Sequence, residues 1–105
     1  MNKWRRFEIL LPVKFNDGSP VPRKRIGEAI REVTKQFGAS SFEKQTIEGH
    51  WVHEGVLYQD MLVRIFVDVP DNTKNRAWMK KYKARCKERL GQLEIWMVSY
   101  RIEVE

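Results

Sequence analysis

Strand-like alternation at both ends of the chain, two helical stripes inside it, and a central strand pair joined at Glu54-Gly55 predict an α+β fold in the order β-α-β-β-α-β. That order is the split βαβ arrangement of a ferredoxin-like sandwich. It implies a four-stranded antiparallel sheet with the first and third strands central and both helices on one face. At 105 residues the chain is long enough to bury roughly two-thirds of its extended surface, so a core without staples is expected.

The first strand is expected over residues 4–15, where Phe7, Ile9, Leu11 and Val13 alternate with Arg6, Glu8, Leu10 and Pro12. Asn16-Asp17-Gly18 ends it with turn-forming residues, and Pro20 and Pro22 lead into a helix. That helix is predicted over 23–37: Ile26, Ala29, Ile30, Val33 and Phe37 share one stripe, and Gly38 supplies the stop. Glu28 with Arg31 and Glu32 with Lys35, three apart, are expected to pair along its outer side.

Two strands follow over 42–53 and 56–69, joined as a hairpin, with Val63, Ile65, Val67 and Val69 forming the core face of the second. Pro70 closes that strand, and Asp71, Asn72 or Thr73 caps a second helix reaching about residue 90, before Gly91. Its apolar stripe is Met79, Tyr82, Cys86 and Leu90, with the other positions charged or small. A last strand is expected over 93–104. With no repeat or linker to divide it, the chain reads as a single domain.

The charge is uneven. Twenty Lys and Arg against fourteen Asp and Glu give +6, yet residues 74–89 hold eight bases to one acid, leaving the remainder with one net negative charge. The bases Arg76, Lys80, Lys83, Lys87, Lys81 and Arg85 are candidate contacts for an anion, an acidic partner or nucleic acid. Recognition by base stacking is poorly provided for. Met61-Leu62-Val63-Arg64-Ile65-Phe66-Val67-Asp68 departs from the RNA-recognition strand pattern at its glycine and most of its aromatic positions. Arg23, Lys24 and Arg25 at the start of the first helix are a weaker anion candidate.

The sheet face without helices should carry Leu10 and Phe66, Trp4 by alternation from Phe7, and Trp96 and Tyr100 from the last strand. So apolar a face calls for a partner, and a homodimer is expected. Trp96 keeps this place only if the last strand does not slip by one residue.

The catalytic and metal inventories are thin. His50, His53, Asp60 and Cys86 are the one conceivable zinc set, but strand residues three apart point to opposite faces, so no metal or other cofactor is expected. Cys86 lies on the apolar stripe and reads as inert core. Asp68 and Asp71 flank Pro70, the first expected to face solvent and the second to favour the helix start. No nucleophile-base-oxyanion set or phosphate loop is present, so a binding module is the leading expectation. An enzyme would have to use the polar cluster of His50, His53, Tyr58 and Asp60 around the hairpin.

A single cysteine, no apolar run of about 20 residues, and a mixed-polarity start at Met1–Arg6 suggest a cytoplasmic protein, neither exported nor embedded. Pro12-Val13-Lys14-Phe15-Asn16-Asp17-Gly18, Gly49-His50-Trp51-Val52-His53-Glu54-Gly55-Val56-Leu57-Tyr58-Gln59-Asp60, Val67-Asp68-Val69-Pro70-Asp71 and Glu94-Ile95-Trp96 resemble a family of small bacterial proteins without an established activity. The resemblance spans nearly the whole chain. It implies a one-domain bacterial protein and contributes no site residue.

Overall fold

The computed structural model describes residues 3–105; Met1 and Asn2, part of the polar N-terminal run, lie outside the described residues. Its elements are β1 (Trp4–Pro12), α1 (Arg23–Phe37), β2 (Ser41–His53), β3 (Val56–Pro70), α2 (Thr73–Arg89) and β4 (Met97–Ile102). The strands form one antiparallel sheet in the order β2-β3-β1-β4. This is the ferredoxin-like sandwich, with β1 and β3 at its centre.

Alternation decides what each face holds. Phe7, Ile9 and Leu11 from β1 and Val63, Ile65, Val67 and Val69 from β3 join Ala29 and Val33 of α1 and Met79, Tyr82 and Cys86 of α2 in one buried cluster. Both helices therefore cover the same face. Trp78, missing from the expected stripe, packs beside this core: it stacks on Tyr82 with ring centroids 5.3 Å apart and meets Phe37 edge-on at 5.2 Å. The Arg85 guanidinium covers it at 5.2 Å, which lets a large aromatic sit on the helix's charged flank.

Two strands are shorter than expected. β1 stops at Pro12, which has no N–H to offer β4; towards β3 one more bond follows, Val13 N–H to Met61 O at 2.9 Å, before residues 13–21 fold back on themselves through Val21 N–H to Val13 O at 2.9 Å. The same proline lies where the ladder to β4 would run on past Ile9 and Met97. Residues 93–96 accordingly leave the sheet after a single bond, Leu10 N–H to Trp96 O at 3.0 Å.

Four acidic groups also depart from expectation. Of the three expected caps it is Asn72 that caps α2, its side-chain oxygen accepting from Asn75 N–H at 2.8 Å, while Asp71 serves elsewhere. The Asp71 side chain is only 2% exposed and is held by Arg5, Arg76 and Arg101, which fasten β1, α2 and β4 together. Arg76 first, and then Arg5, hold its carboxyl well below the usual carboxylate range. Asp68 does not face open solvent: Arg6 donates to both its oxygens at 2.7 and 2.9 Å. Glu32 reaches across to Arg85 at 2.6 Å and Arg89 at 3.1 Å instead of pairing along its own helix, and Glu28 also turns to Arg89. Among the described residues, no helix is long and apolar enough to cross a membrane.

A candidate ligand cavity on the open sheet face

The open face is less greasy than its sequence suggests. Phe66 lies under two guanidiniums, Arg6 at 4.5 Å and Arg64 at 5.5 Å from the ring centroid. Arg64 pairs with Glu8 and Glu43, and the Tyr100 hydroxyl donates to Glu8 at 2.8 Å. The central part of the face is thus a charged layer laid over one aromatic ring. Exposed apolar surface survives at its β4 edge, on Trp96, Val98 and Tyr100. Trp4, at the far end of β1, is half-buried opposite Ile102.

Beside this layer the face sinks into a cavity of about 390 Å³. Leu10 and Pro12 of β1 and Leu62 of β3 line its centre, while Gly49, His50 and Trp51 come from β2 and Asp60 from β3. The far side is the segment that left the sheet: Gln92, Glu94, Ile95 and Trp96. Since β2 and β4 lie at opposite edges of the sheet, Trp51 and Trp96 stand on opposite sides of the cavity.

The hairpin places the polar groups. Glu54 and Gly55 both have positive φ, 50° and 78°, which makes a two-residue turn of the type that matches strand twist. That turn sets Trp51 opposite Tyr58 and Gly49 opposite Asp60. Trp51 stacks on Tyr58 at 4.6 Å and donates its indole N–H to Asp60 Oδ2 at 2.6 Å, so the indole plane is fixed from two directions. Gly49 leaves room for Leu62: a Cβ there would come within 2.9 Å of Leu62 Cδ1 and push that side chain aside.

The loop side is equally constrained. Gln92 is 8% exposed and gives its amide N–H to Leu90 O at 2.9 Å, with no donor to its oxygen among the described residues. Glu94 accepts from Ile95 N–H at 3.0 Å, and that bond, with Lys83 at 3.4 Å, lowers its pKa.

The expected clusters are regrouped. Leu10 and Trp96, assigned to an interface, share this cavity with His50 and Asp60, assigned to a polar cluster. Tyr58 supports Trp51 from behind, His53 lies 6.0 Å from Trp51 towards the tip, and His50 pairs with Glu48 at 3.3 Å. Cys86 is buried between the helices, and burial pushes its thiol up to about 11. Among the described residues, no group of three or more His, Cys, Asp or Glu stands ready for a metal ion.

On α2, Arg76 is bound to Asp71, Arg85 and Arg89 to Glu32 and Lys83 to Glu94, leaving Lys74, Lys80, Lys81 and Lys87 without an acidic partner within 4 Å among the described residues. At α1, Arg25 donates to the Arg89 carbonyl at 2.9 Å, at the C-terminal end of α2. A cation is well placed there against the helix dipole. Trp51, Gln92 and Glu94 were missed. A glycine inside a strand and the register of a two-residue turn were the signals that could have found the Trp51–Asp60 pair.

Fold and cavity together define a small ferredoxin-like α+β domain with a concave, aromatic-walled patch on its helix-free face. No family model matches the chain, and no curated sequence matches it. Solved structures share its fold. A phage SAM lyase in complex with S-methyl-5'-thioadenosine is similar at TM-score 0.72 and 12% identity, covering 99% of this chain and 92% of that one. The divalent ion tolerance protein CutA1 from Ehrlichia chaffeensis is similar at TM-score 0.62 and 6% identity, covering 100% and 86%. A B. subtilis GlnK–ATP complex gives 0.62 and 12%, covering 97% and 84%. At these identities the likeness is one of fold.

Proposed function

We propose that the chain is a small-ligand-binding module whose site is the cavity between Trp51 and Trp96, and that copies associate through the rest of the open face. The cavity carries the reading: about 390 Å³ is within the range of small-molecule sites, roughly 300–1,000 Å³, and few polar groups converge on its apolar walls. Adenine nucleosides are the ligand class we assign, because flat rings suit a site walled by two indoles and because a neighbour of this fold is described with the uncharged S-methyl-5'-thioadenosine. Self-association is supported by exposed Val98 and Tyr100 along the β4 edge and by exposed Val56 on the open side of the hairpin.

Titration with S-methyl-5'-thioadenosine, followed by tryptophan fluorescence, tests the site. Saturable quenching that disappears in Trp51→Ala and Trp96→Ala is the expected result; no binding of the thioether, adenosine or ATP at millimolar concentration overturns it. A monomer by light scattering at micromolar concentration overturns the self-association.

A second reading, catalysis in the same cavity, is favoured by one observation: a neighbour of this fold is a SAM lyase. Incubation with S-adenosylmethionine and chromatography for thioadenosine release decides it, an unchanged substrate removing the enzyme. The unengaged lysines of α2 among the described residues, Lys74, Lys80, Lys81 and Lys87, come with no stacking platform for bases, so that reading ranks below both.

A further inference from the structure

The chain has twenty Lys and Arg, yet neither residue type lines this cavity. The charged groups on its walls are two carboxylates. Glu94 is engaged by Lys83 and by the Ile95 amide. Asp60 is different: its one hydrogen bond comes from a neutral indole at Oδ2, and no base lies within 4 Å of it among the described residues. A carboxylate left without a counter-charge beside two aromatic walls is suited to a positive ligand. It can accept a charge-assisted bond or meet the cation directly, while an indole face attracts cations through its ring quadrupole.

Resting on the ligand-site reading above, we infer that the cavity selects a small organic cation carrying a flat ring system: the positive centre lies against Asp60, and the ring lies between Trp51 and Trp96. Anionic ligands are disfavoured, since no guanidinium or ammonium group lines the walls to receive them. Gln92 adds an acceptor on the far side, its amide fixed through the Leu90 carbonyl. The tryptophan–tyrosine stack keeps Trp51 from turning to close the space. Ammonium and sulfonium compounds share the required chemistry.

A matched pair of ligands tests the charge alone: the dimethylsulfonium derivative of 5'-deoxyadenosine and the neutral S-methyl-5'-thioadenosine, which differ by one methyl group and one positive charge. Calorimetric titration of the wild-type protein should show the cation binding at least ten-fold tighter, with the advantage shrinking as salt is raised. In Asp60→Asn, which keeps an acceptor for the Trp51 indole, the two affinities should fall within two-fold of each other. Equal affinities in the wild type, or an advantage that survives Asp60→Asn, overturn the charge selection while the nucleoside site stands. Failure of both compounds to bind overturns the charge selection and the site together.

Discussion

The two faces of the sheet are built from alternate residues of the same strands, and they solve opposite problems. On the helix side, Leu11, Ile9, Ile65 and Val69 are at most 1% exposed and meet only apolar neighbours. One residue along, Leu10 and Phe66 share their surface with Arg6, Glu8, Arg64 and Asp68, paired into a layer that stays wet. Burial supplies stability on the first side. The second side is free to hold a depression, because Arg6 with Asp68 and Arg64 with Glu8 and Glu43 pair beside it instead of collapsing over it.

Leu11 and Leu10 are the sharpest way to break that contrast. Leu11→Ala should cost roughly 2–5 kcal/mol in urea unfolding, as the removed atoms leave a cavity in a closed core. Leu10→Ala should cost about 1 kcal/mol, because its surroundings are already open. Equal losses would mean that the two sides are packed alike.

Asp71→Asn is expected to give the next loss at neutral pH, and its sign with pH is fixed. A carboxyl whose folded pKa is depressed adds stability above its unfolded value of about 3.9, and that contribution is lost as pH falls towards the folded value. Thermal midpoints of wild type and Asp71→Asn should therefore differ at pH 7 and converge below about pH 4. A gap unchanged by acid would rule out the arginine-bound carboxylate.

Between the helices, Glu32→Gln should cost about 1 kcal/mol or less, falling further in high salt, since Glu32, Arg85 and Arg89 are all partly solvated. The smallest effect belongs to the open side. Trp96, 66% exposed, should lose under about 0.5 kcal/mol on replacement by Ala, while ligand quenching disappears. A large loss of stability would make Trp96 a core residue and remove it from the site.

Much of the fold was legible because period and punctuation agreed. α1 runs from Arg23 to Phe37 as the apolar stripe and Gly38 require, and the hairpin turns at Glu54-Gly55. The even-numbered residues of β4 face away from the helices, with Val98 and Tyr100 opposite Glu8 and Arg6. The C-terminal end of β1 and the N-terminal end of β4 depart from expectation for one reason: alternation continues through Pro12, but Pro12 has no N–H to offer β4, and after one more bond to β3 the chain folds back. The site was legible only in pieces. Leu10, His50, Asp60 and Trp96 stood out singly, but their meeting depends on how a loop of irregular backbone closes over the sheet, and no periodicity encodes that. Charge pairing was hidden likewise, since Asp71 and Glu32 choose partners far away in sequence.

Beyond the last pairing of β3 with β1, at Leu62 and Pro12, β2 and β3 continue together for six residue pairs, from Glu48 and Met61 to His53 and Val56. This ribbon projects for roughly 20 Å, held by its own cross-strand bonds, and a lone two-stranded ribbon is only marginally stable in water. It is the natural place for amide protons to exchange first. Trp51 stands on this arm and Trp96 on the trunk, so whatever lodges between them fastens the loosest part of the molecule to the firmest. Occupancy should then register at the arm's tip as slowed exchange, well away from any atom the occupant touches.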